Sequence, residues 1–137
     1  MKVQALVGRR LLQSSEEWAV RNGALTSTLN ELIRCHIQVN TLRGLDVGCQ
    51  KGSLTDLWES PPNFEWWGVD PVIEKASLSA RGANLLPGWA HQLSFPASYF
   101  DCVVLANVYE HVAPKLRTAS LAEIQRVLVK GGILIGQ

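Results

Sequence analysis

Two aspartates and a set of spaced glycines carry most of the chemistry available to this sequence. Asp46-Val47-Gly48-Cys49-Gln50-Lys51-Gly52 sets an acid at the end of an apolar run and follows it with a turn, with glycines at positions 44, 48 and 52. That four-and-four spacing differs from the G-x-G-x-x-G loop of nicotinamide-binding proteins, where a helix N-terminus presses against a pyrophosphate. Asp46 can instead offer negative charge to a cationic ligand, partly through water. Gly48 lets a backbone approach without a Cβ in the way, and Gly52 lets the next helix begin close to the strand. Asp70 stands some twenty residues beyond Gly48, where a carboxylate can bond the ribose hydroxyls of an adenosine. A lone aspartate there serves equally as a turn or helix cap. Beside Asp46 and Gly48, the ligand-binding role is favoured.

The elements that must hold these residues follow from periodicity. The first forty residues read as helical: Ser14-Ser15-Glu16-Glu17 resembles a helix start, and a second helix is expected from about Thr26 to Ile37. Asn22-Gly23 separates the two. From Leu42 onward, short apolar runs alternate with helices. Strands are expected at Leu42 to Val47, Phe64 to Val69, Asp101 to Ala106 and Ile133 to Ile135, with a weaker one at Ala83 to Leu86. Helices are expected at Ser53 to Glu59, stopped by Pro61-Pro62, and at Val72 to Ser79, closed by Gly82. A third runs from Leu116 to Leu128, with Leu121, Ile124, Val127 and Leu128 on one face, and Gly131-Gly132 turns the chain into the last strand. This alternation implies an α/β fold, a Rossmann-like doubly wound and mostly parallel sheet with helices on both faces. Ligands then bind beyond the carboxyl ends of the strands.

The chain of 137 residues fits one domain, with an N-terminal helical segment over 1–41 and a ligand-binding core over 42–137. A formal net charge of +1 gives no general attraction to nucleic acid or anionic membrane. No stretch approaches the roughly 18 apolar residues of a membrane span, and Lys2, Arg9 and Arg10 interrupt any secretory h-region. Cys35, Cys49 and Cys102 form no CxxC pair, so neither a zinc site nor a disulfide framework is expected, and a cytoplasmic protein with reduced thiols is the plain reading.

Six blocks in order carry a resemblance. They are Leu45-Asp46-Val47-Gly48-Cys49, Gly68-Val69-Asp70-Pro71, Leu93-Ser94-Phe95-Pro96, Tyr99-Phe100-Asp101, Asn107-Val108-Tyr109-Glu110-His111-Val112, and Glu123 through Gly132. Over Leu45 to Ile135 the chain resembles the type 11 group of class I S-adenosylmethionine-dependent methyltransferases. The resemblance implies S-adenosylmethionine as cofactor and a small molecule as methyl acceptor, at an O, N or C atom. It implies that Asp46, Gly48, Cys49 and Gly52 surround the methionine end, and that Asp70 and Pro71 lie at the ribose. Ala90 and His91 would border the adenine edge, and Asn107 the sulfonium side. This sequence departs from the family at two positions: Gln50 stands where glycine is usual, and Trp89 where an aspartate commonly accepts from the adenine amine. Trp89 cannot accept that bond, although its ring could stack on the base.

Other residues have plain structural readings. His111, next to Glu110, could take a proton from an acceptor, but the segment is better read as packing where a helix begins. Methyl transfer from a sulfonium is direct substitution and can rely on alignment alone, so no catalytic residue is assigned. Cys49 lacks a neighbour that would make it nucleophilic; Cys35, Cys102 and His36 read as core. Tyr109 could face a sulfonium or pack in the core. Trp66 and Trp67 should point to opposite faces of the sheet.

The implied fold has seven strands in the order 3-2-1-4-5-7-6, and this sequence ends on the fifth. The last two strands are therefore lacking, and Ile133-Leu134-Ile135 is expected to form an apolar edge covered by a homodimer mate or another chain. An alternative to an active enzyme is a degenerate or truncated methyltransferase-like domain acting as a binding or scaffold subunit.

Overall fold

A computed structural model describes residues 6–7, 23, 26–31, 41–52, 54 and 61–136. Among the described residues, seven strands form one sheet: β1 (Leu6–Val7), β2 (Leu42–Val47), β3 (Phe64–Asp70), β4 (Ser77–Leu78), β5 (Asn84–Pro87), β6 (Phe100–Leu105) and β7 (Leu128–Gly136). Their order is β1-β7-β6-β2-β3-β5-β4, and every pairing is parallel except β4 with β5. β2 lies between β3 and β6, which explains why nearly all of its residues are buried. β7-β6-β2-β3-β5 matches the expected arrangement of the first five strands. No helix among the described residues is long and apolar enough to cross a membrane.

Side-chain alternation divides the core between the two faces of the sheet. Cys102 and Val104 join Cys49, Trp66, Leu85 and Leu29, whose segment 26–31 is helical. Val103 and Leu105 join Leu45, Val47, Phe95 and Phe100 under the helix α1 (Pro114–Val127). Trp66 and Trp67 fall into opposite clusters, as period-two alternation requires, with Trp67 edge-on to Phe95.

Several expected elements differ. Leu6–Val7 is a strand, not part of a helix, and it lies beside β7 with Leu6 opposite Ile135 and Val7 opposite Gly136. The edge expected to need a partner chain is thus taken, over those two residues, by the chain's own β1. The helix expected at Val72 to Ser79 is absent. Ser77 and Leu78 pair with Leu85 and Asn84 instead, and Gly82 turns the hairpin at φ +84. Ser79 accepts the Ala83 N–H at its Oγ, the kind of local bond by which serine competes with helix. In α1 the buried stripe is Ser120, Ile124 and Val127, spaced four and three, so Leu121 falls outside it and is exposed. Ser120 satisfies its hydroxyl on the Leu116 carbonyl at 2.9 Å. Leu128 already belongs to β7, which is continuous through Gly131-Gly132. The irregularity is a bulge, with Phe100 opposite Leu128 but Cys102 opposite Ile133, and Gly131 adopts φ +82 within it. The expected helix at Ser53 to Glu59 lies outside the described residues apart from Leu54, as do Ser14 to Glu17, Cys35 and His36.

The block from Glu123 to Gly132 has a mechanical role. Arg126 donates to the carbonyls of Phe95 (2.7 Å) and Leu93 (2.9 Å) and to both carboxylate oxygens of Glu123 (2.6 and 2.9 Å). Glu123 in turn accepts the Leu93 N–H at 2.8 Å. This clamp fixes the segment between β5 and β6 onto α1. The Arg126 hydrogen bonds hold the Glu123 carboxyl below the usual carboxylate range. The resulting stability is present above that range and is lost as pH falls through the lowered value. Arg126→Ala should cost about 1–3 kcal/mol in urea unfolding at pH 7, allowing for a side chain partly open to water. A loss below about 0.5 kcal/mol would count against the clamp.

Candidate functional site

The turn after β2 is shaped by backbone bonds to β3. The N–H groups of Gly48 (2.8 Å) and Cys49 (3.2 Å) both donate to the Val69 carbonyl, and Gly52 N–H donates to Cys49 O at 2.9 Å. Gly48 has φ +78, and a Cβ built on it would lie 2.2 Å from Cγ2 of Val108. Here the loops after β2 and β6 touch, and only glycine allows it. Gln50 also adopts a left-handed φ of 51°. The position where the resemblance implies glycine therefore keeps glycine's conformation, at a cost of roughly 1–2 kcal/mol for a side-chain-bearing residue. The Gln50 N–H donates to Oδ2 of Asp70 at 2.8 Å, a charge-assisted bond of the same order that offsets the cost.

Two carboxyl groups stand under this turn, and they differ in what they touch. Asp70, 6% exposed, accepts from Gln50 N–H at one oxygen and from Val72 N–H at the other, 2.9 Å away. It is thus a cap and a cavity wall together, with a lone pair left on each oxygen. Asp46, 4% exposed, has no hydrogen-bond donor at its carboxyl among the described residues. Burial, and secondarily the charge of Asp70, pushes its pKa up to about 8. An acid so placed gains by meeting a cation.

The remaining walls come from two further strand ends. Past β5, Gly88 to His91 form a tight turn in which Gln92 N–H donates to Trp89 O at 3.0 Å. Trp89 is 58% exposed, with its ring centroid 6.0 Å from that of His91. Past β6, Asn107 adopts φ 54, and a single 3-10 turn (Tyr109–His111) leads to α1.

Together these loops enclose a cavity of about 690 Å³ at the carboxyl ends of β2, β3, β5 and β6. That volume lies in the range of pockets for drug-sized ligands and cofactors. Asp46, Gly48, Cys49, Asp70, Pro71, Ala90, His91 and Asn107 all line it; Gly52 does not, and shapes the turn instead. Sequence reasoning missed Leu54, Val108 and Leu116 as lining residues. They are apolar, and nothing in their type separates a cavity wall from the core.

Other candidates separate clearly. Burial pushes the Cys49 thiol up to about 12, so it packs and does not attack. Cys102 is buried with the same shift. Tyr109 does not line the cavity; the Arg117 guanidinium lies 5.4 Å from its ring centroid. His111 does line it, with its side chain 79% exposed and Nε2 4.0 Å from the Glu110 carboxylate.

With this geometry in hand, known proteins provide comparison. A family described as "Methyltransferase domain" matches residues 45–136. Among solved structures, the YcgJ protein of Bacillus subtilis aligns with a TM-score of 0.59 and 21% identity, over 80% of this chain and 49% of its own. The PH0226 protein of Pyrococcus horikoshii gives 0.60 and 24%, over 88% of this chain and 54% of its own. An S-adenosylmethionine-dependent methyltransferase of Methanosarcina mazei gives 0.55 and 24%, over 74% of this chain and 55% of its own. The chain thus spans about half the length of these structures, and the likeness is one of fold. Comparison with curated proteins gave no match.

Proposed function

Because this chain belongs to the methyltransferase domain family, we propose that it binds S-adenosylmethionine in the cavity beyond β2, β3, β5 and β6 and serves methyl transfer to a small molecule. The observation that carries this reading is Asp46: a buried carboxyl with no donor among the described residues, on the wall of a cavity large enough for a nucleoside cofactor. A ligand with a cationic end and an adenosine suits that wall. The bound cofactor would supply an electrophilic methyl group on its sulfonium.

The chain's own residues would act by holding and aligning. Asp46 would face the ammonium end, through water where the distance requires it. The space left by the missing Cβ of Gly48 would admit the methionine chain. Asp70 would accept ribose hydroxyls with the lone pairs not used by Gln50 and Val72. Ala90 and His91 would border the base, and Asn107 the sulfonium side. Alignment of the reacting atoms suffices for direct substitution, so no base is required, and Glu110 and His111 at the mouth could orient an acceptor. The buried thiols of Cys49 and Cys102 are consistent with the reducing cytoplasm.

Calorimetric titration with S-adenosylhomocysteine tests this reading directly. Wild type should bind saturably, and Asp70→Ala should bind at least tenfold more weakly, since it removes a charged acceptor and releases the Gln50 N–H. No heat from wild type at millimolar ligand would sink the function; equal affinity in both proteins would sink the role of Asp70.

A further inference from the structure

The wall beyond β5 has a chemistry of its own. Of Gly88, Trp89, Ala90 and His91, which line it, none carries a carboxylate or amide side chain. Trp89 presents a large aromatic surface left 58% exposed, although it belongs to the cavity lining. Its backbone is not loose: Trp89 and Gln92 form an isolated antiparallel bridge. Its ring is tilted 46° to that of His91, 6.0 Å away. A fixed backbone holding an open aromatic face is a stacking platform. Such platforms bind bases without distinguishing them, because every base has a π-face.

The only side-chain acceptor on this wall is the His91 ring. A neutral imidazole donates from one nitrogen and accepts at the other, and its tautomer adjusts to its partner. It can therefore meet an exocyclic amine or an exocyclic carbonyl. The indole N–H of Trp89 only donates. Nothing in this group requires an amino group at the base edge.

We propose that Trp89 makes this a base-tolerant nucleoside site, in which the base is held by stacking and not by readout of its edge. The proposal rests on the reading of the cavity as an S-adenosylmethionine site and specifies how that site treats the base. A hypoxanthine analogue of the cofactor product should then bind almost as well as the adenine form. A site built around a specific acceptor would reject it by orders of magnitude.

The test is calorimetry on the full chain with S-adenosylhomocysteine and S-inosylhomocysteine, using wild type, Trp89→Ala and Trp89→Phe. Because Trp89 is exposed, neither substitution opens the core. Wild type should bind the two ligands within about fivefold of each other. Trp89→Ala should weaken both by a similar factor, about tenfold to a hundredfold for the loss of a stacked ring, and Trp89→Phe should recover most of it. Binding of S-adenosylhomocysteine with rejection of the inosine form by a hundredfold or more would overturn base tolerance alone. So would an undiminished affinity in Trp89→Ala. Failure of wild type to bind S-adenosylhomocysteine at all would overturn the function reading and this inference with it.

Discussion

Asp46→Asn is expected to raise the thermal stability of the protein at pH 8 and at the same time to weaken cofactor binding. In the folded chain the Asp46 carboxyl keeps its proton up to about pH 8, whereas in the unfolded chain it ionises above 3.8. Between those values the folded state holds the extra proton, so stability falls as pH rises. Below about pH 4 both states are protonated and no penalty applies. Asparagine has a similar shape and does not ionise, which removes the slope. The gain near pH 8 should be a few kcal/mol, or on the order of 10 °C in Tm for a domain of this size. At pH 5 it should be much smaller. The variant, however, presents no negative charge to an ammonium group, and its affinity for S-adenosylhomocysteine should fall by tenfold or more. Melting curves from pH 5 to 8 with paired calorimetry would check both halves. A stability difference that does not grow with pH would mean that Asp46 is not held protonated.

Gly48→Ala should act in the opposite sense, costing about 2–4 kcal/mol and abolishing measurable binding. Two separate strains combine. The added Cβ meets Val108 Cγ2 at 2.2 Å, and φ +78 is strained for any residue with a side chain. Both loops line the cavity, so neither can give way without reshaping it. Adding Val108→Ala removes the two methyl contacts, at 2.2 and 3.0 Å, while leaving the backbone strain. The double variant should recover part of the lost stability. Recovery of none of it would assign the whole defect to φ, and an unaltered Gly48→Ala protein would contradict the contact itself.

The central strands and the polar part of the lining were legible in the sequence because both rest on local signals. Apolar runs flanked by turns located β2, β3, β6 and the Ile133–Ile135 stretch of β7, and chemical type picked out Asp46, Gly48 and Asp70. What escaped depends on partners distant in the chain. Ser77 and Leu78 carry no strand signal, and only pairing with β5 draws them from the expected helix. Ser120 appears polar in the sequence and is fully buried, because its hydroxyl is satisfied one turn back in its own helix. Leu121, one step round that helix, is apolar and exposed. Gln50 reads as a disruption of the glycine loop, yet Asp70 lies across the turn to receive its N–H. The fit between them cannot be seen from either residue alone.

The pairing of β1 with β7 also sets an order in time. Leu6 and Val7 leave the ribosome before the other six described strands, while Ile135 and Gly136, beside which they settle, belong to the seventh of the described strands. β1 must therefore wait while the six described strands after it are made, and its contact with β7 closes the longest loop between paired strands among the described residues. Until then β7, once made, presents an unpaired apolar border. Crowded nascent chains would meet along that border. Slow translation through β7, or a chaperone holding β1, would act on the same interval.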